Sequence, residues 1–220
     1  MARVQNSHSE RTTAVPKPPT APRKRAGQAR SRATVEALVE ATARILVRDG
    51  FDRASTNRIA EEAGVSVGSL YQYYPCKEAL VVAVIERHNR DLMRVVREAL
   101  ATVATEPVEI GVSALIAAAI EAHRVDPALH RVLAEQIPRT GALEDVEAFS
   151  RENYALFRDY LEHHRDELRD IDLDLAAFLC VTSIEAVTHT AVLHRPEVLS
   201  DAAVGPLVEE TTRMVLRYLR

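Results

Sequence analysis

Residues 56–74 read TNRIAEEAGVSVGSLYQYY and carry the clearest structural signal in this 220-residue chain. The stretch predicts two short helices joined by a tight turn. Ser55 or Thr56 can cap the first helix and Ser66 the second, because hydroxyl oxygens accept from the unpaired N–H groups of a first helical turn. Gly64 supplies a reversal that a residue with a Cβ resists. The pattern is therefore that of a helix-turn-helix.

The two faces of the second short helix differ in character. Ile59, Ala60 and Ala63 are expected to pack the first helix against the second, with Val65 and Leu70 buried beneath it. The outer face is expected to present Val67, Gly68, Ser69, Tyr71 and Tyr73. For the two tyrosines, core packing of the ring with only the hydroxyl on a phosphate is an equal alternative to direct base reading. Such a helix fits the major groove of DNA, and its small residues allow a close approach to base edges. The alternative is a plain helical hairpin in a bundle, which gives the tyrosine-rich outer face no role.

The rest of the chain favours helices. Alanine occupies 33 positions and tryptophan none, a composition that suits helices better than strands. Apolar residues at helical spacing predict an all-α fold with helices over 31–49, 77–102, 109–124, 127–136, 143–168, 173–193 and 200–219. The Gly205-Pro206 pair can delay the start of the last helix. We predict three parts: an arm (1–30), a helix-turn-helix domain (31–77) and a second helical domain (78–220).

Several classes of protein do not fit the sequence. No apolar run of roughly 18 residues is apparent, and the N-terminal residues lack an apolar signal core, so we expect neither a membrane span nor secretion. The chain has no G-x-S-x-G, no phosphate-binding glycine loop, no H-E-x-x-H and no paired-cysteine motif. We therefore expect no enzyme, no catalytic residue, no cofactor and no metal site.

Charge is distributed unevenly along the chain. The formal net charge is −4. Residues 1–32 carry +7, from eight basic residues and Glu10, and the remaining 188 residues therefore carry −11. The proline-rich arm is expected to be disordered. A basic arm on an acidic body is typical of nucleic-acid binders, although a solvated tail that aids solubility has the same composition.

A longer motif surrounds the helix-turn-helix. It comprises Ile45, Gly50-Phe51, Thr56, Ile59-Ala60, Ala63-Gly64-Val65-Ser66, Gly68-Ser69-Leu70-Tyr71, Tyr73-Tyr74-Pro75 and Lys77-Glu78-Ala79-Leu80. Residues 33–85 thereby resemble the DNA-binding domain of the tetracycline-repressor (TetR) family of bacterial transcriptional regulators. The resemblance implies a cytoplasmic, homodimeric regulator, most simply a repressor released from operator DNA by a small-molecule effector. Alternatives are a small-molecule binding protein with a vestigial DNA-binding domain, and a DNA-binding regulator without a ligand.

The resemblance also implies roles for individual residues. Thr56, Tyr73 and Lys77 would contact phosphates. Base edges or the adjoining backbone would be contacted by Val67, Gly68, Ser69 and Tyr71. Two positions depart from the family pattern: Val67 replaces a common polar residue, and Cys76 replaces a common helix-capping residue.

The basic arm adds a second set of candidate DNA contacts. Residues 33–77 have a net charge of −1, which is low for a DNA reader, and the missing attraction lies next to them in the arm. We expect phosphate or minor-groove contacts from Arg23, Lys24, Arg25, Arg30 and Arg32.

Residues 78–220 carry a net −10 and are expected to bind the effector and to form the dimer. The last two helices have apolar stripes that would close a four-helix bundle with a partner, or pack on their own subunit. Glu185 and His189 share a helix face and could bind a ligand or a metal, although an ion pair is the simpler interpretation. The candidate effector-binding residues are His123, Gln136, Tyr154, Phe157, Cys180, Glu185 and His189, with Phe149 and Phe178 more typical of a core.

Overall fold

The computed structural model describes residues 29–140 and 143–220, with side chains from 31–136 and 147–220. In these ranges the fold is all-α, as predicted, and contains no strand. The helices are α1 (Ala29–Asp49), α2 (Thr56–Glu62), α3 (Val67–Tyr73), α4 (Lys77–Val103), α5 (Val108–Arg124), α6 (Pro127–Thr140), α7 (Leu143–His163), α8 (Leu173–His194) and α9 (Val204–Leu219). Short 3-10 helices cover Arg165–Glu167 and Pro196–Leu199.

The turns around α2 and α3 form as their residues predict. Gly50 and Gly64 have φ angles of +77° and +68°, in the left-handed region that favours glycine. Ser55 caps α2 by accepting from the Arg58 N–H, and Ser66 caps α3 by accepting from the Ser69 N–H. The local sequence therefore fixes where both short helices begin.

Three predicted helix ends are wrong. The helix predicted over 143–168 ends at His163 and is followed by a 3-10 turn, in which Glu167 accepts from the Val108 N–H at 2.9 Å and contacts His164. The helix predicted to end at 136 continues through Pro138 to Thr140, since a proline removes one backbone hydrogen bond without stopping the chain. The last helix begins at Val204 rather than 200, after a 3-10 turn and next to the Gly205-Pro206 pair.

The buried residues form two clusters. We call the first the reader core. It contains Leu38 and Ile45 of α1, Ile59 of α2, Leu70 of α3 and the first turns of α4. Leu129 and Leu133 of α6 also belong to it, so the C-terminal half of the chain completes this core. The second cluster, the effector core, joins the end of α4 to α5, α7, α8 and α9. Helix α4 is therefore common to both.

Helix α8 is unusually apolar. On length and composition alone it could cross a membrane, with a mean hydropathy of 1.5 over 18 residues. The expectation that no segment is long and apolar enough for a bilayer is therefore wrong for α8. In this fold the helix packs against α5, α6, α7 and α9, which gives it a core role on one face. Its other face carries the exposed side chains of Leu175, Phe178 and Leu179.

Candidate nucleic-acid interface and effector cavity

The outer face of α3 forms a continuous exposed surface, which we call the reading surface. Val67 and Tyr71 are 36% and 41% exposed, Gly68 is exposed, and Ser69 is half-buried. Gln72 is exposed on the same helix, although the sequence argument did not select it. Its amide can pair with the two hydrogen-bonding groups of adenine in the major groove. Gln72 follows Gly68 by four residues and Ser69 by three, and this helical spacing was the signal that could have found it.

Tyr73 does not lie on the outer face, and its ring takes the core position that was the alternative to base reading. Its side chain is only 7% exposed and packs in the reader core. The reason is helical spacing, because Tyr73 follows the buried Leu70 by three residues and shares its face. A phosphate contact from the hydroxyl of Tyr73 stays a prediction.

Hydrogen bonds hold the polar groups of the reading surface. The hydroxyls of Thr56 and Tyr71 lie 3.0 Å apart, which links α2 to α3. The hydroxyls of Ser66 and Ser69 lie 2.8 Å apart at the start of α3. These contacts fix side-chain rotamers before any partner arrives, which lowers the entropy lost on binding.

Lys77 has a structural role at the start of α4. Its ammonium donates to the carbonyl oxygens of Phe51 at 3.0 Å and Ala54 at 3.3 Å. It also lies 4.1 Å from the centre of the Phe51 ring, within the range of a cation–π interaction. Lys77 therefore ties α4 to the loop before α2. The predicted phosphate contact would have to use the donor capacity that remains.

Acidic neighbours neutralise three arginines of the reader. Arg44 and Arg48 form ion pairs with Glu62, and Arg58 pairs with Asp49 at 2.7 Å. Of the cations predicted in the arm, Arg23, Lys24 and Arg25 lie outside the described residues. Arg30 lies in α1 but its side chain is also outside them, whereas Arg32 is described and exposed.

A cavity lies among α4, α5, α7 and α8 in the effector core. Its volume is about 80 Å³, small beside the roughly 300–1,000 Å³ of pockets that hold drug-sized ligands. Apolar side chains from all four helices form most of its wall. Phe149 and Phe157 belong to this apolar part. The polar residues that line the cavity are His123, Asn153, Glu185, Thr188 and His189.

The polar end of the cavity has perturbed acid–base properties. Burial lowers the pKa of His123 to about 4 and raises the pKa of Glu185. The amide of Asn153 donates to the Glu185 carboxylate at 3.1 Å and partly offsets that rise. Asn153 and Thr188 were not selected from the sequence, because neither residue type stands out without knowledge of which helices meet.

The cavity contains four of the seven predicted effector residues, namely His123, Phe157, Glu185 and His189. The other three lie elsewhere. Gln136 is buried in α6, and Tyr154 contacts the hydroxyl of Thr182 at 3.2 Å beside Phe178. Cys180 is buried in the effector core, where burial raises its thiol pKa to about 12.

Comparisons with known proteins agree with this layout. Residues 38–84 match the family described as "Bacterial regulatory proteins, tetR family", and residues 107–219 match "Tetracyclin repressor-like, C-terminal domain". The nucleoid occlusion factor SlmA of Glaesserella parasuis is 32% identical over 85 residues, which are 39% of this chain and 41% of that protein. The HTH-type transcriptional activator FasR of Mycolicibacterium smegmatis is 40% identical over 65 residues, 30% of each chain.

These sequence matches span less than half of either relative. The structural likeness extends further. A TetR transcription regulator from Haloarcula marismortui superposes with a TM-score of 0.69 over 86% of this chain and 97% of that one, at 20% identity. At that identity the superposition supports the all-helical fold alone.

Proposed function

This chain belongs to the TetR family of DNA-binding transcriptional regulators, and from that premise we propose a homodimeric operator-binding repressor released by a small-molecule effector. Two α3 helices would enter successive major grooves, roughly 34–36 Å apart. We propose a cytoplasmic protein with no catalytic activity. Expression of a reporter gene placed behind the operator tests this. Higher expression without the protein supports repression, and lower expression supports activation, the role that the name of FasR gives for that relative.

Gly68 is the observation that carries the DNA-binding role of α3. Its φ is not positive, so the backbone does not require glycine. A Cβ at this position would meet only the Ser66 hydroxyl, at an ordinary 3.9 Å. Glycine within a helix costs about 0.5–1 kcal/mol relative to alanine. The fold gains nothing from this glycine, whereas a partner surface that closes on α3 would.

The Gly68→Ala variant tests this role. We expect the free energy of unfolding to rise by about 0.5–1 kcal/mol, because alanine is the better helix residue. We expect operator affinity to fall by about 1–3 kcal/mol, because the methyl group holds α3 away from the bases. Chemical denaturation and fluorescence anisotropy with operator DNA measure the two effects separately. The operator is first selected from genomic fragments by the purified protein.

Gly205→Ala is the matched control. Gly205 is also exposed in a helix, and a methyl group added there would meet open space. It lies in α9, far from α3 in sequence. Because Pro206 follows Gly205 and disfavours a helical residue with a Cβ before it, no gain in stability is expected here. The variant should leave operator affinity unaltered, with the oligomeric state checked by light scattering. Operator binding by Gly68→Ala at wild-type affinity would remove α3 as the reading helix.

The proposed dimer surface lies on α8. Leu175, Phe178 and Leu179 are 52%, 48% and 39% exposed, and Thr182 and Ala186 continue the same exposed face. This is the stripe selected from the sequence. The stripe predicted on α9 packs largely on its own subunit, with Thr211 and Val215 buried and Met214 exposed. This stripe comprises Val204, Leu207, Val208, Thr211, Met214, Val215 and Tyr218. An exposed apolar row beside a buried one favours a partner that covers α8.

Phe178→Glu tests the dimer. A charge at the centre of an apolar interface should be desolvated without a partner, so we expect dissociation into monomers at micromolar concentration. Sedimentation equilibrium measures the change. Glu209→Lys, on the exposed face of α9, is the charge control and should leave the mass unaltered. If Phe178→Glu has the same mass in solution as wild type and Glu209→Lys, the dimer interface does not include this face of α8.

Release by an effector follows from the size of the cavity. A space of about 80 Å³ admits a bulky molecule only if the surrounding helices separate. One of those helices is α4, which Lys77 ties to the reader. An effector that binds better to the widened form shifts the population toward it and changes the separation of the two α3 helices.

The ion pairs of the reader support a role for the arm in DNA binding. Arg44, Arg48 and Arg58 already face carboxylates of their own domain. Cations that must leave an existing partner contribute less to phosphate binding than unpaired ones. The +7 charge of residues 1–32 is then the main attraction for the DNA backbone, and Arg32 stands exposed where it joins α1.

A further inference from the structure

Four histidines from four different helices meet beside the cavity. They are His88 of α4, His123 of α5, His130 of α6 and His189 of α8. Nitrogen atoms of His123, His130 and His189 all lie within 4.8 Å of one another. The ring of His130 lies 4.6 Å from those of both His123 and His189, centre to centre. The fold thus brings together four histidines that are up to 101 residues apart in the sequence.

Hydrogen bonds orient two of these rings. Nδ1 of His123 lies 2.8 Å from the carbonyl oxygen of Ala119, an acceptor, so Nδ1 carries the proton and Nε2 has the lone pair. Nδ1 of His130 lies 2.9 Å from Nε2 of His88. The Nε2 atoms of His123 and His130 are both buried without a hydrogen-bond partner among the described residues.

Such atoms are costly in a folded protein. A buried polar atom without a partner costs about as much as a lost hydrogen bond, and most such atoms have one. Two of them next to a third imidazole form a set of buried nitrogen atoms that a bound group could satisfy. Desolvation lowers the pKa of all four histidines, because it disfavours the charged imidazolium.

We propose that His123, His130 and His189 bind one divalent transition-metal ion per protomer, with zinc as the best-suited ion. Neutral imidazole nitrogens are the ligands that Zn²⁺, Co²⁺ and Ni²⁺ accept at about 2.0–2.1 Å. Ligand atoms around such an ion lie closer together than 4.8 Å, so the three rings would move inward slightly on binding. His88 is a positioning residue, since its contact with Nδ1 of His130 directs Nε2 toward the ion.

Three protein ligands leave one position open on a tetrahedral ion. His123 and His189 also line the effector cavity, and Glu185 stands one helical turn before His189. The open position therefore faces the cavity, where water, the Glu185 carboxylate or an effector with a metal-binding group can complete the ion's coordination.

The site also adjoins the reader. His130 lies between Leu129 and Leu133, which pack in the reader core. A metal ion that fixes His130 therefore fixes the orientation of α6 against α1 and α4. As a consequence that rests on the proposed function, metal occupancy would alter operator affinity, which deepens the effector assignment of the cavity.

The test uses the full-length dimer without a histidine tag, after treatment with a chelator. Zn²⁺ is titrated by calorimetry, and Co²⁺ by its visible absorption. We expect one ion per protomer and a tetrahedral Co²⁺ spectrum without the thiolate charge-transfer band that Cys76 or Cys180 would give. At 100 times the dissociation constant, Zn²⁺ should raise Tm by roughly 5–10 °C.

Variants give the result its resolution. Because the side chain of His189 is exposed, we expect the His189→Ala variant to fold. It should weaken Zn²⁺ binding by more than the roughly 10–100-fold that the loss of a supporting residue costs. His88→Gln should fall in that roughly 10–100-fold range. His194→Ala, an exposed histidine five residues further along α8, should bind as wild type does. No Zn²⁺ or Co²⁺ binding by wild type, or equal binding by His189→Ala, overturns the site.

Metal binding is measured without DNA, so it stands or falls separately from the repressor proposal. Operator binding is then compared with and without Zn²⁺ for wild type and His189→Ala. A zinc-dependent change in wild type alone supports the coupling through α6. Tight zinc binding with no change in operator affinity removes the coupling and keeps the site.

Discussion

Two helical glycines show how the halves of this molecule differ. Gly111 in α5 faces the ring of Tyr160, and a Cβ there would overlap the tyrosine hydroxyl. Gly68 in α3 meets only the Ser66 hydroxyl, at van der Waals distance. The first glycine is required by its own effector core, whereas no contact among the described residues requires the second. The proposed contact of α3 with DNA supplies a reason for the second glycine from outside the protein.

Buried polar atoms differ between the two cores in the opposite sense. In the described part of the reader core, the buried hydroxyl of Thr42 donates to the carbonyl of Leu38 at 2.7 Å. In the described effector half, polar atoms of His123, His130, Tyr160, His164 and Thr212 are buried without a hydrogen-bond partner. A satisfied core specifies one packing, whereas unsatisfied groups leave room for bound groups and for alternative packings.

Removal of residues 1–28 should have the largest effect on DNA binding. If about three arm cations engage phosphates in each protomer, the dimer loses about six contacts, and the salt slope of log affinity falls by about five units. The ratio of full-length to truncated affinity should then be about a thousandfold greater at roughly 50 mM than at roughly 200 mM salt. Operator binding across a salt series gives both slopes. Parallel lines would mean that the arm is a solvated tail and that the reader relies on its own charges.

Leu133→Ala tests whether the two halves are separable. Leu133 is buried in the reader core although α6 belongs to the effector half. A buried leucine replaced by alanine costs about 2–5 kcal/mol of unfolding free energy. Hydrogen exchange should show lost protection in α1 as well as α6. Leu161→Ala, buried in the effector core, should cost a similar amount and spare α1. Unaltered α1 protection in Leu133→Ala would make the reader an independent unit.

Gly111→Ala should destabilise the protein by about 1–3 kcal/mol, because the added methyl group displaces the buried ring of Tyr160. Thermal unfolding measures the loss. A double variant with Tyr160→Phe should recover part of it, since the overlapping hydroxyl is gone. The sign is opposite to that expected for Gly68→Ala. If both alanine variants are stabilised, the contrast between the two glycines disappears.

Tyr71→Phe gives the smallest of these effects. It removes the hydroxyl that contacts Thr56, and we expect operator affinity to fall by about 0.5–1.5 kcal/mol. Tyr154→Phe is a matched control, because it removes the same kind of tyrosine–threonine contact from the effector half. Anisotropy titrations should separate the two variants, while denaturation should show similar losses. Equal operator affinities for both would exclude the Tyr71 hydroxyl from the DNA contact.

The sequence predicted the reader better than the effector half, for a physical reason. Ser66, Gly64 and Leu70 act within one or two turns of the chain, so their spacing states their roles. The α8 stripe could likewise be found by periodicity. His88 and His130 could not, because their meaning depends on four helices that meet at one point. The position of Tyr73 stayed open between core and outer face, although its spacing from Leu70 favours the core. The backbone partners of Lys77 were missed because they lie more than 20 residues earlier in the chain.

Leu129 and Leu133 also bear on the engineering of hybrid sensors. A chimera that joins this reader to another effector domain would be cut within α4, between the two domains that match the family. Such a cut leaves behind the α6 surface that covers α1, and the transplanted reader would expose an apolar patch. A working hybrid would need to carry residues 127–136 with the reader, or to receive a helix with an equivalent leucine pair. The heritable module is thus discontinuous in sequence.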